Sequence, residues 1–137
     1  QYRHNSALLF IDNNKFKAIN DEYGHLAGDA VLKEMATRLG QSVRHEDFIA
    51  RLGGDEFAII LHTIHHADHL QAIAEALLGS CKEPLDFNGQ LIHFGFSLGI
   101  AFSHFAENPE DLVMQADQAM YKAKNLNPHW FLYKPEI

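Results

Sequence analysis

The stretch RLGGDEFAIIL at residues 51–61 decides the fold, because it places two glycines between two extended segments. Glycine adopts positive φ values without steric penalty, so Gly53 and Gly54 favour a tight hairpin turn. The flanking segments 47–51 and 56–61 have strand-like sequences, and we predict that they pair through this turn. The hairpin also carries the adjacent carboxylates Asp55 and Glu56 directly after the glycines.

The segments on either side of the hairpin supply the rest of a layered fold. Residues 7–11 are apolar throughout and precede the polar sequence DNN, which predicts a central strand that ends in a polar loop. Apolar residues recur at helical spacing in three segments, namely 28–43, 66–78 and 109–123.

Further strands are predicted in the second half of the chain. The dipeptide Asn88-Gly89 is a strong hairpin signal, and the strand after it runs from Leu91 to Phe102. Residues 130–133 form a last short strand. The order β-α-β-β-α-β-β-α-β predicts an α+β fold, in which helices flank a mostly antiparallel central sheet.

Composition limits the classes of function. The chain has 137 residues, 47% of them hydrophobic, which predicts a single domain over 1–137. Eleven Lys and Arg against 18 Asp and Glu give a net charge of −7, which argues against nucleic acid as a partner. The longest apolar runs have five residues, so we expect no membrane contact by this domain. A lone cysteine, Cys81, favours a reducing, cytoplasmic location.

Acidic residues follow two of the predicted strands. Asp12 comes directly after the first strand, and Asp55 and Glu56 lie in the hairpin. Carboxylates gathered at one sheet edge repel one another, and Mg²⁺ is the natural cation to neutralise them. The alternative is that Asp12 caps a turn and Asp55 is a polar hairpin residue. Because neither common phosphate-loop pattern is present, nucleotide binding would need another scaffold.

Four ordered segments together resemble the GGDEF family of diguanylate cyclases, and the resemblance covers nearly the whole chain. They are DNNKFKAINDEYGHLAGD at 12–29, RLGGDEF at 51–57, SLGIA at 97–101 and ADQAMYKAK at 116–124. The resemblance implies a fold related to class III nucleotidyl cyclases and polymerase palm domains, with a ferredoxin-like core. It also implies that two GTP molecules condense to cyclic di-GMP and two pyrophosphates with Mg²⁺ or Mn²⁺. Each 3′-hydroxyl attacks the other GTP, so the active form would be a homodimer of half-sites.

The same resemblance assigns roles to individual residues. The implied metal ligands are Asp12, Asp55 and the main-chain carbonyl of Asn13. The implied catalytic residues are Asp55, Glu56 and Lys17. The implied substrate-binding residues are Asn20, Asp29, Gly53, Gly54 and Lys124, with Asn20 and Asp29 reading the guanine. The pattern Arg-x-x-Asp at Arg44 and Asp47 resembles the family's inhibitory site for cyclic di-GMP.

The chain departs from the family pattern at three places. Asn14 stands where the family has a second Asp, and Asn127-Pro128-His129 replaces Gly-Arg-Asn. The usual Asp-x-Leu-Thr-Gly-Leu segment and its helix do not precede Gln1, so we expect a longer protein with sensor or EAL domains. Residues 131–137 resemble a junction with an EAL phosphodiesterase domain. The alternative function is therefore a degenerate GGDEF domain that binds GTP or cyclic di-GMP and regulates an attached domain.

Two further interpretations stay open at this point. The histidines at 62, 65, 66 and 69 have spacings that could place imidazoles together for zinc or nickel, or could simply face solvent. The bare carboxylates also allow a metal-dependent domain of other chemistry, for which a preference for ATP would be the indication.

Overall fold

The structure is a computed structural model that describes residues 5–135, so Glu136 and Ile137 of the predicted EAL junction lie outside the described residues. The strands are β1 (Ala7–Asn13), β2 (Phe48–Gly53), β3 (Glu56–Leu61), β4 (Leu85–Phe87), β5 (Gln90–Ile92), β6 (Phe96–Phe102) and β7 (Trp130–Leu132). The helices are α1 (Phe16–Tyr23), α2 (His25–Gln41), α3 (Asp68–Ser80) and α4 (Pro109–Ala123), with a 3₁₀ turn at Ser103–Phe105. In this part of the chain, no helix is long and apolar enough to cross a membrane.

The main sheet has the strand order β2-β3-β1-β6-β7, so the opening apolar strand is central, as predicted. Strand pairs in this sheet are antiparallel except for β6 and β7, which run parallel. Strands β4 and β5 form a separate two-stranded sheet around the Asn88-Gly89 turn. The α+β class and the mostly antiparallel sheet predicted from sequence are therefore confirmed.

The elements differ from the sequence prediction at several places. Strand β1 continues through Asp12 and Asn13, which were predicted to lie in a polar loop. Helix α1 was not predicted, and α2 begins at His25 rather than at Gly28. The apolar residues Phe16, Ile19 and Tyr23 do fall on one face of α1, but eight residues are too few for a clear periodic signal. The strand predicted over 91–102 is two strands in different sheets, because residues 93–95 separate β5, which pairs with β4, from β6 of the main sheet.

The register of β1 against β3 places the acidic residues side by side. Cα partners run from Ala7 opposite Leu61 to Asp12 opposite Glu56, so the end of β1 lies beside the glycine turn. Residues directly opposite in an antiparallel pair project from the same face. A slip of one residue would move Asp12 to the other face of the sheet, so the apolar core that fixes this register also fixes the site.

The two faces of the sheet are covered differently. Helices α1, α2 and α3 pack over the larger core, which includes Leu9, Ile11 and Ile59. Helix α4 covers the other face, where Ala58, Ala101 and Ala116 allow a close approach. Gly99 of β6 sets this distance, because a Cβ there would lie 2.1 Å from the backbone nitrogen of Met120.

A buried carboxylate fixes the end of the β2–β3 hairpin that is remote from the glycine turn. The Asp47 side chain is 1% exposed and accepts from the backbone N–H of His62 at 2.9 Å and of Arg44 at 3.0 Å. The Arg44 guanidinium also donates to it, with Nε at 3.3 Å. Burial alone would raise the pKa of Asp47, but these hydrogen bonds outweigh it and lower the pKa below its ordinary value.

The substitution Gly99→Ala should lower the free energy of unfolding by about 1–3 kcal/mol, because its methyl group would push α4 away from β6. Urea denaturation of the variant measures this loss. Gly79→Ala in α3 is the matched control, since nothing lies within 4 Å of its Cβ position. The control should be neutral or more stable. Equal stability of Gly99→Ala and wild type would contradict the close approach.

The substitution Asp47→Asn should destabilise the protein by about 2 kcal/mol at pH 7, because hydrogen bonds to an ionised group are lost. The pKa of Asp47 is lowered in the folded state, so its contribution is present above its unfolded pKa of about 3.9 and disappears as the pH falls through the folded value. Urea unfolding at several pH values tests this, with the exposed Asp117→Asn as control. A difference that does not shrink below about pH 4 would refute the assignment.

Candidate functional site

Asp12 and Asp55 lie together at the glycine end of the hairpin. The backbone N–H of Asn13 donates to the main-chain oxygen of Asp55 at 3.2 Å, which ties the end of β1 to the turn. Burial, followed by the negative charge of Asp12 and a hydrogen bond with its carboxyl group, raises the pKa of Asp55 above its ordinary value. The two carboxyl groups are thus close enough for Asp12 to disfavour the ionised form of Asp55.

Lys124 supplies positive charge to this acidic pair. Its Nζ lies 2.6 Å from Oδ2 of Asp12, whose side chain is 13% exposed. The hydrogen bond to Asp12 and the charges of Asp12, Asp55 and Glu56 raise the pKa of Lys124, against the opposing effect of burial. Lys124 immediately follows α4, so the packing of that helix on the sheet brings the ammonium to the carboxylates. Three carboxylates around one ammonium leave a net negative site.

The donor set at this position fits a small divalent cation. Asp12 and Asp55 offer two adjacent carboxylates, and Mg²⁺ is commonly held by one or two carboxylates with waters and phosphates. Asn13 turns its side chain away, with Nδ2 2.8 Å from Sδ of Met35, so it could contribute a main-chain oxygen. Glu56 is exposed and lies directly opposite Asp12 across the strands.

The histidine-rich segment does not form a metal centre in the structure. Across residues 5–135, no group of three or more His, Cys, Asp or Glu side chains is placed to hold a metal ion. His65 instead hydrogen-bonds with Asn5, and His66 meets His69 edge to face at 5.7 Å between ring centroids. The spacing of these histidines along the sequence is compatible with one helical face. In the structure their ring nitrogens do not converge on a position for a metal ion.

The residues implied to read guanine lie where α1 and α2 meet. Oδ1 of Asn20 is buried without a hydrogen-bond partner. A Cβ on Gly28 would lie 1.8 Å from that atom, so glycine is needed where the two helices approach. Asp29 follows in α2 and is exposed, one turn beyond the start of that helix. The unpaired amide and the exposed carboxylate are thus neighbours of the same glycine.

Lys17 stands apart from the carboxylates. Its side chain is 90% exposed, and its Nζ pairs with Asp21 at 3.1 Å along α1. Such an exposed pair contributes little to stability, so Lys17 is free to exchange this partner for another anion.

Arg44 and Asp47 lie at the opposite end of the hairpin from the glycine turn, and a cavity of about 320 Å³ opens beside them. The Asp47 carboxylate is fully occupied by protein donors, as described above. Arg44 keeps its side chain 46% exposed, although its guanidinium also donates to the main-chain oxygen of His62. This pair is therefore separate from the acidic cluster around Asp12.

One residue at the turn was missed by the sequence analysis. Arg51 donates from Nε at 3.0 Å and from Nη2 at 2.6 Å to the main-chain oxygen of Gly54. Gly53 and Gly54 have φ values of 143° and 52°, conformations that other residues adopt at a cost. Arg51 thus holds the turn that presents Asp55. A basic residue two positions before the glycine pair was the available signal.

Comparison with known proteins gives a consistent assignment. A family model described as "Diguanylate cyclase, GGDEF domain" matches residues 1–128. The chain is 40% identical over 126 residues to diguanylate cyclase TpbB of Pseudomonas aeruginosa, covering 90% of this chain and 29% of that protein. It is 40% identical over 120 residues to the bifunctional diguanylate cyclase/cyclic di-GMP phosphodiesterase MucR of the same species, covering 87% of this chain and 17% of that protein.

Solved structures agree with the sequence comparison. The crystal structure of the GGDEF domain of TpbB, also called YfiN, superposes with a TM-score of 0.89 at 36% identity. The match covers 98% of this chain and 86% of that one. The glycine turn, the register of the acidic residues and these matches together show that this chain belongs to the GGDEF domain family.

Proposed function

We propose that this domain binds GTP with Mg²⁺ or Mn²⁺ and, when two copies meet face to face, converts two GTP into cyclic di-GMP and two pyrophosphates. The observation that carries the proposal is the convergence of Asp12 and Asp55 at the glycine turn, with Lys124 beside them. The names of the relatives support the reaction class. Because GTP is the substrate, we assign the domain to the cytoplasm.

Asp12, Asp55 and the main-chain oxygen of Asn13 are the residues that would hold the cation. When bound, the cation supplies neutralising charge at the phosphates and makes the 3′-hydroxyl easier to deprotonate. The raised pKa of Asp55 supports this role, because burial and the negative charge of Asp12 both disfavour its ionised form until positive charge is placed beside it.

The proposed reaction forms a bond between the 3′-oxygen of one GTP and the α-phosphorus of the other. The bond from that phosphorus to the pyrophosphate oxygen breaks, and the hydroxyl proton passes to a base. Glu56 lies exposed on the same face as Asp12, so it can accept this proton or support the metal ligands. Lys124, and Lys17 after it leaves Asp21, would neutralise the departing pyrophosphate.

Recognition of the base is proposed for Asn20 and Asp29. An ionised carboxylate accepts from the N1 and N2 donors of guanine, whereas adenine offers no such pair. The unpaired amide oxygen of Asn20 and the exposed Asp29 support a ligand at this place. The flexible backbone of Gly53 and Gly54 would allow the turn to approach the nucleotide closely.

Each domain would hold one GTP, so a single copy presents half of the reacting pair. A homodimer is therefore part of the proposal, and its contact face must bring two glycine turns towards each other. An attached EAL phosphodiesterase or sensor domain is a further proposed partner, and MucR is a relative named for both activities.

A second candidate function is regulation without synthesis. Pro128 carries no charge where the family pattern has arginine, and Asn14 accepts from the Ser97 hydroxyl at 2.8 Å where the pattern has an acid. A domain that binds GTP or cyclic di-GMP and controls an attached domain would tolerate these changes. Nucleotide binding without formation of cyclic di-GMP would select this function.

The experiment that tests the proposed function incubates the protein with GTP and Mg²⁺ and measures cyclic di-GMP by chromatography. Asp55→Asn should reduce the rate on the order of 100-fold or more, because a metal ligand is lost. Asp117→Asn, an exposed change on α4, should leave the rate unchanged. Failure of the wild type to bind GTP would refute the proposal.

The same variant has an expected effect on stability. The pKa of Asp55 is raised in the folded protein, so its ionised form is destabilising at pH 7 and Asp55→Asn should melt higher without metal. Mg²⁺ at ten times its Kd should stabilise the wild type by about 1.4 kcal/mol, a rise of a few degrees in Tm, and the variant much less. Equal Mg²⁺ effects on both proteins would count against a shared cation site.

Product inhibition is proposed at Arg44 and Asp47. Because the Asp47 carboxylate is buried and occupied, the exposed guanidinium of Arg44 is the group available to a cyclic di-GMP phosphate or guanine edge. Arg44→Ala should weaken inhibition by cyclic di-GMP about tenfold or more, measured as the inhibition constant in the synthesis assay. An unchanged inhibition constant would remove Arg44 from the site.

A further inference from the structure

Strand β2 is one edge of the main sheet, and among residues 5–135 no further strand lies beside it. It runs over Phe48–Gly53 and contains neither proline nor lysine. The other edge, β7, has three residues and is followed closely by Lys134 and Pro135. Short length, lysine and proline protect a sheet edge from pairing with another chain. Strand β2 lacks all three features, so it is the edge that can accept an added strand.

The hydrogen bonds of the sheet determine which backbone groups of β2 point outwards. The N–H of Asn13 donates to the main-chain oxygen of Asp55 at 3.2 Å, in the register that pairs β1 with β3. In an antiparallel pair, successive residues direct their N–H and C=O groups to opposite sides of the strand. Residues 57, 59 and 61 of β3 therefore bond to β1, and residues 58 and 60 bond to β2.

The partners of residues 58 and 60 in β2 are Ala50 and Phe48. Ile49 and Arg51 alternate with these residues, so their N–H and C=O groups point away from β3. Two donors and two acceptors thus face outwards, at the spacing that an added antiparallel strand requires.

Basic side chains lie on one face of this edge. A cavity of about 190 Å³ opens there between α2 and β2, against Ile49 and Arg51. Lys33 of α2 and Arg51 are the charged residues that line it. Across the described residues 5–135, no carboxylate forms an ion pair with either of them. Their positive charges are therefore available to an acidic partner.

The opposite face of the same edge is apolar. Phe48 and Ile60 lie directly opposite each other, and they are 57% and 37% exposed. Helix α4 packs mainly on β6, β1 and β7, which leaves these two residues accessible. Side chains of a strand alternate between its faces, so an added strand would present one set of side chains to the basic face and the other set to the apolar face.

We propose that the β2 edge binds an extended segment of a partner protein in which acidic and apolar residues alternate. The acidic side chains lie beside Lys33 and Arg51, and the apolar ones lie beside Phe48 and Ile60. A second copy of this chain fits less well, because pairing β2 with β2 brings the same basic residues together. The inference goes beyond the proposed function and does not depend on it, since the outward backbone groups of Ile49 and Arg51 take no part in the acidic site.

The test uses a short peptide of alternating valine and glutamate, blocked at both ends, and follows amide hydrogen exchange by NMR. In the protein alone, the amides of Ile49 and Arg51 should exchange faster than those of Phe48 and Ala50, which bond to β3. Saturating peptide should slow exchange at Ile49 and Arg51 about tenfold or more, because both amides become hydrogen-bonded. Unchanged exchange at these two amides would overturn the proposal.

Methylation of the peptide backbone separates strand pairing from other contacts. In an antiparallel addition the glutamates lie opposite Ile49 and Arg51, so their N–H groups donate to β2 and those of the valines point away. N-methylation of the glutamates should weaken binding about tenfold or more, and N-methylation of the valines should weaken it much less. Equal effects of the two modifications would exclude strand addition.

Lys33→Glu tests the charge complementarity. It should weaken binding of the valine-glutamate peptide about fivefold or more and strengthen binding of a peptide of alternating valine and lysine. Lys134→Glu, an exposed change near the β7 edge, is the matched control and should alter neither affinity. The acidic partner would be ruled out if Lys33→Glu left both affinities unchanged, or if wild type bound the two peptides equally well.

Sedimentation of the protein without GTP tests a second copy as the occupant. We expect no self-association that the valine-glutamate peptide reverses. A dimer that this peptide dissociates would assign the β2 edge to a second copy and overturn the proposal.

Discussion

The site depends on two carboxylates held side by side, one at the end of β1 and one in the turn before β3, where water is partly excluded. Asp12 and Asp55 repel each other, and the Lys124 ammonium offsets only part of that repulsion. The packing of apolar residues fixes the register of β1 against β3 and so holds the carboxylates together against this repulsion. The register cannot shift without exposing the core. Positive charge placed between the two carboxylates relieves that repulsion.

The surrounding structure can be understood as support for that pair. The close packing of α4 on β6 at Gly99 brings Lys124 to Asp12. The contact of Arg51 with the Gly54 carbonyl holds the turn that carries Asp55. Asp47 secures the other end of the same hairpin. Helices, turn and strand thus each fix one side of the acidic site, and Lys124 also lines a cavity of about 600 Å³.

Much of this arrangement could be predicted from the sequence, because it follows local rules. The glycine pair predicted the hairpin, and the apolar run at 7–11 predicted the central strand. The expectation that Asp12 meets Asp55 came from the resemblance and from strand ends that share an edge, and the geometry agrees with it. Helix α1 was missed because it is short and polar, and the break at 93–95 was missed because Ile92, Phe94 and Phe96 continue the alternating apolar pattern across it.

Other features need contacts between distant parts of the chain, which no local pattern contains. The burial of Asp47 arises from the His62 backbone, fifteen residues away, and the role of Arg51 arises from the shape of the turn. His129 lines the same cavity as Lys15 because the end of the chain returns to the sheet as a parallel strand. Histidine spacing at 62–69 left a metal site open, and across residues 5–135 no group of three or more ligating side chains is placed to hold one.

The most direct test of the central claim is anomalous diffraction from crystals grown with Mn²⁺ and a GTP analogue that cannot react. Manganese scatters anomalously, so its position is independent of any assumption about the ligands. The account predicts a peak about 2.2 Å from carboxylate oxygens of both Asp12 and Asp55, with the α-phosphate beside it. The account would be contradicted if manganese and nucleotide bound elsewhere on the domain and only Lys124 lay beside the two carboxylates.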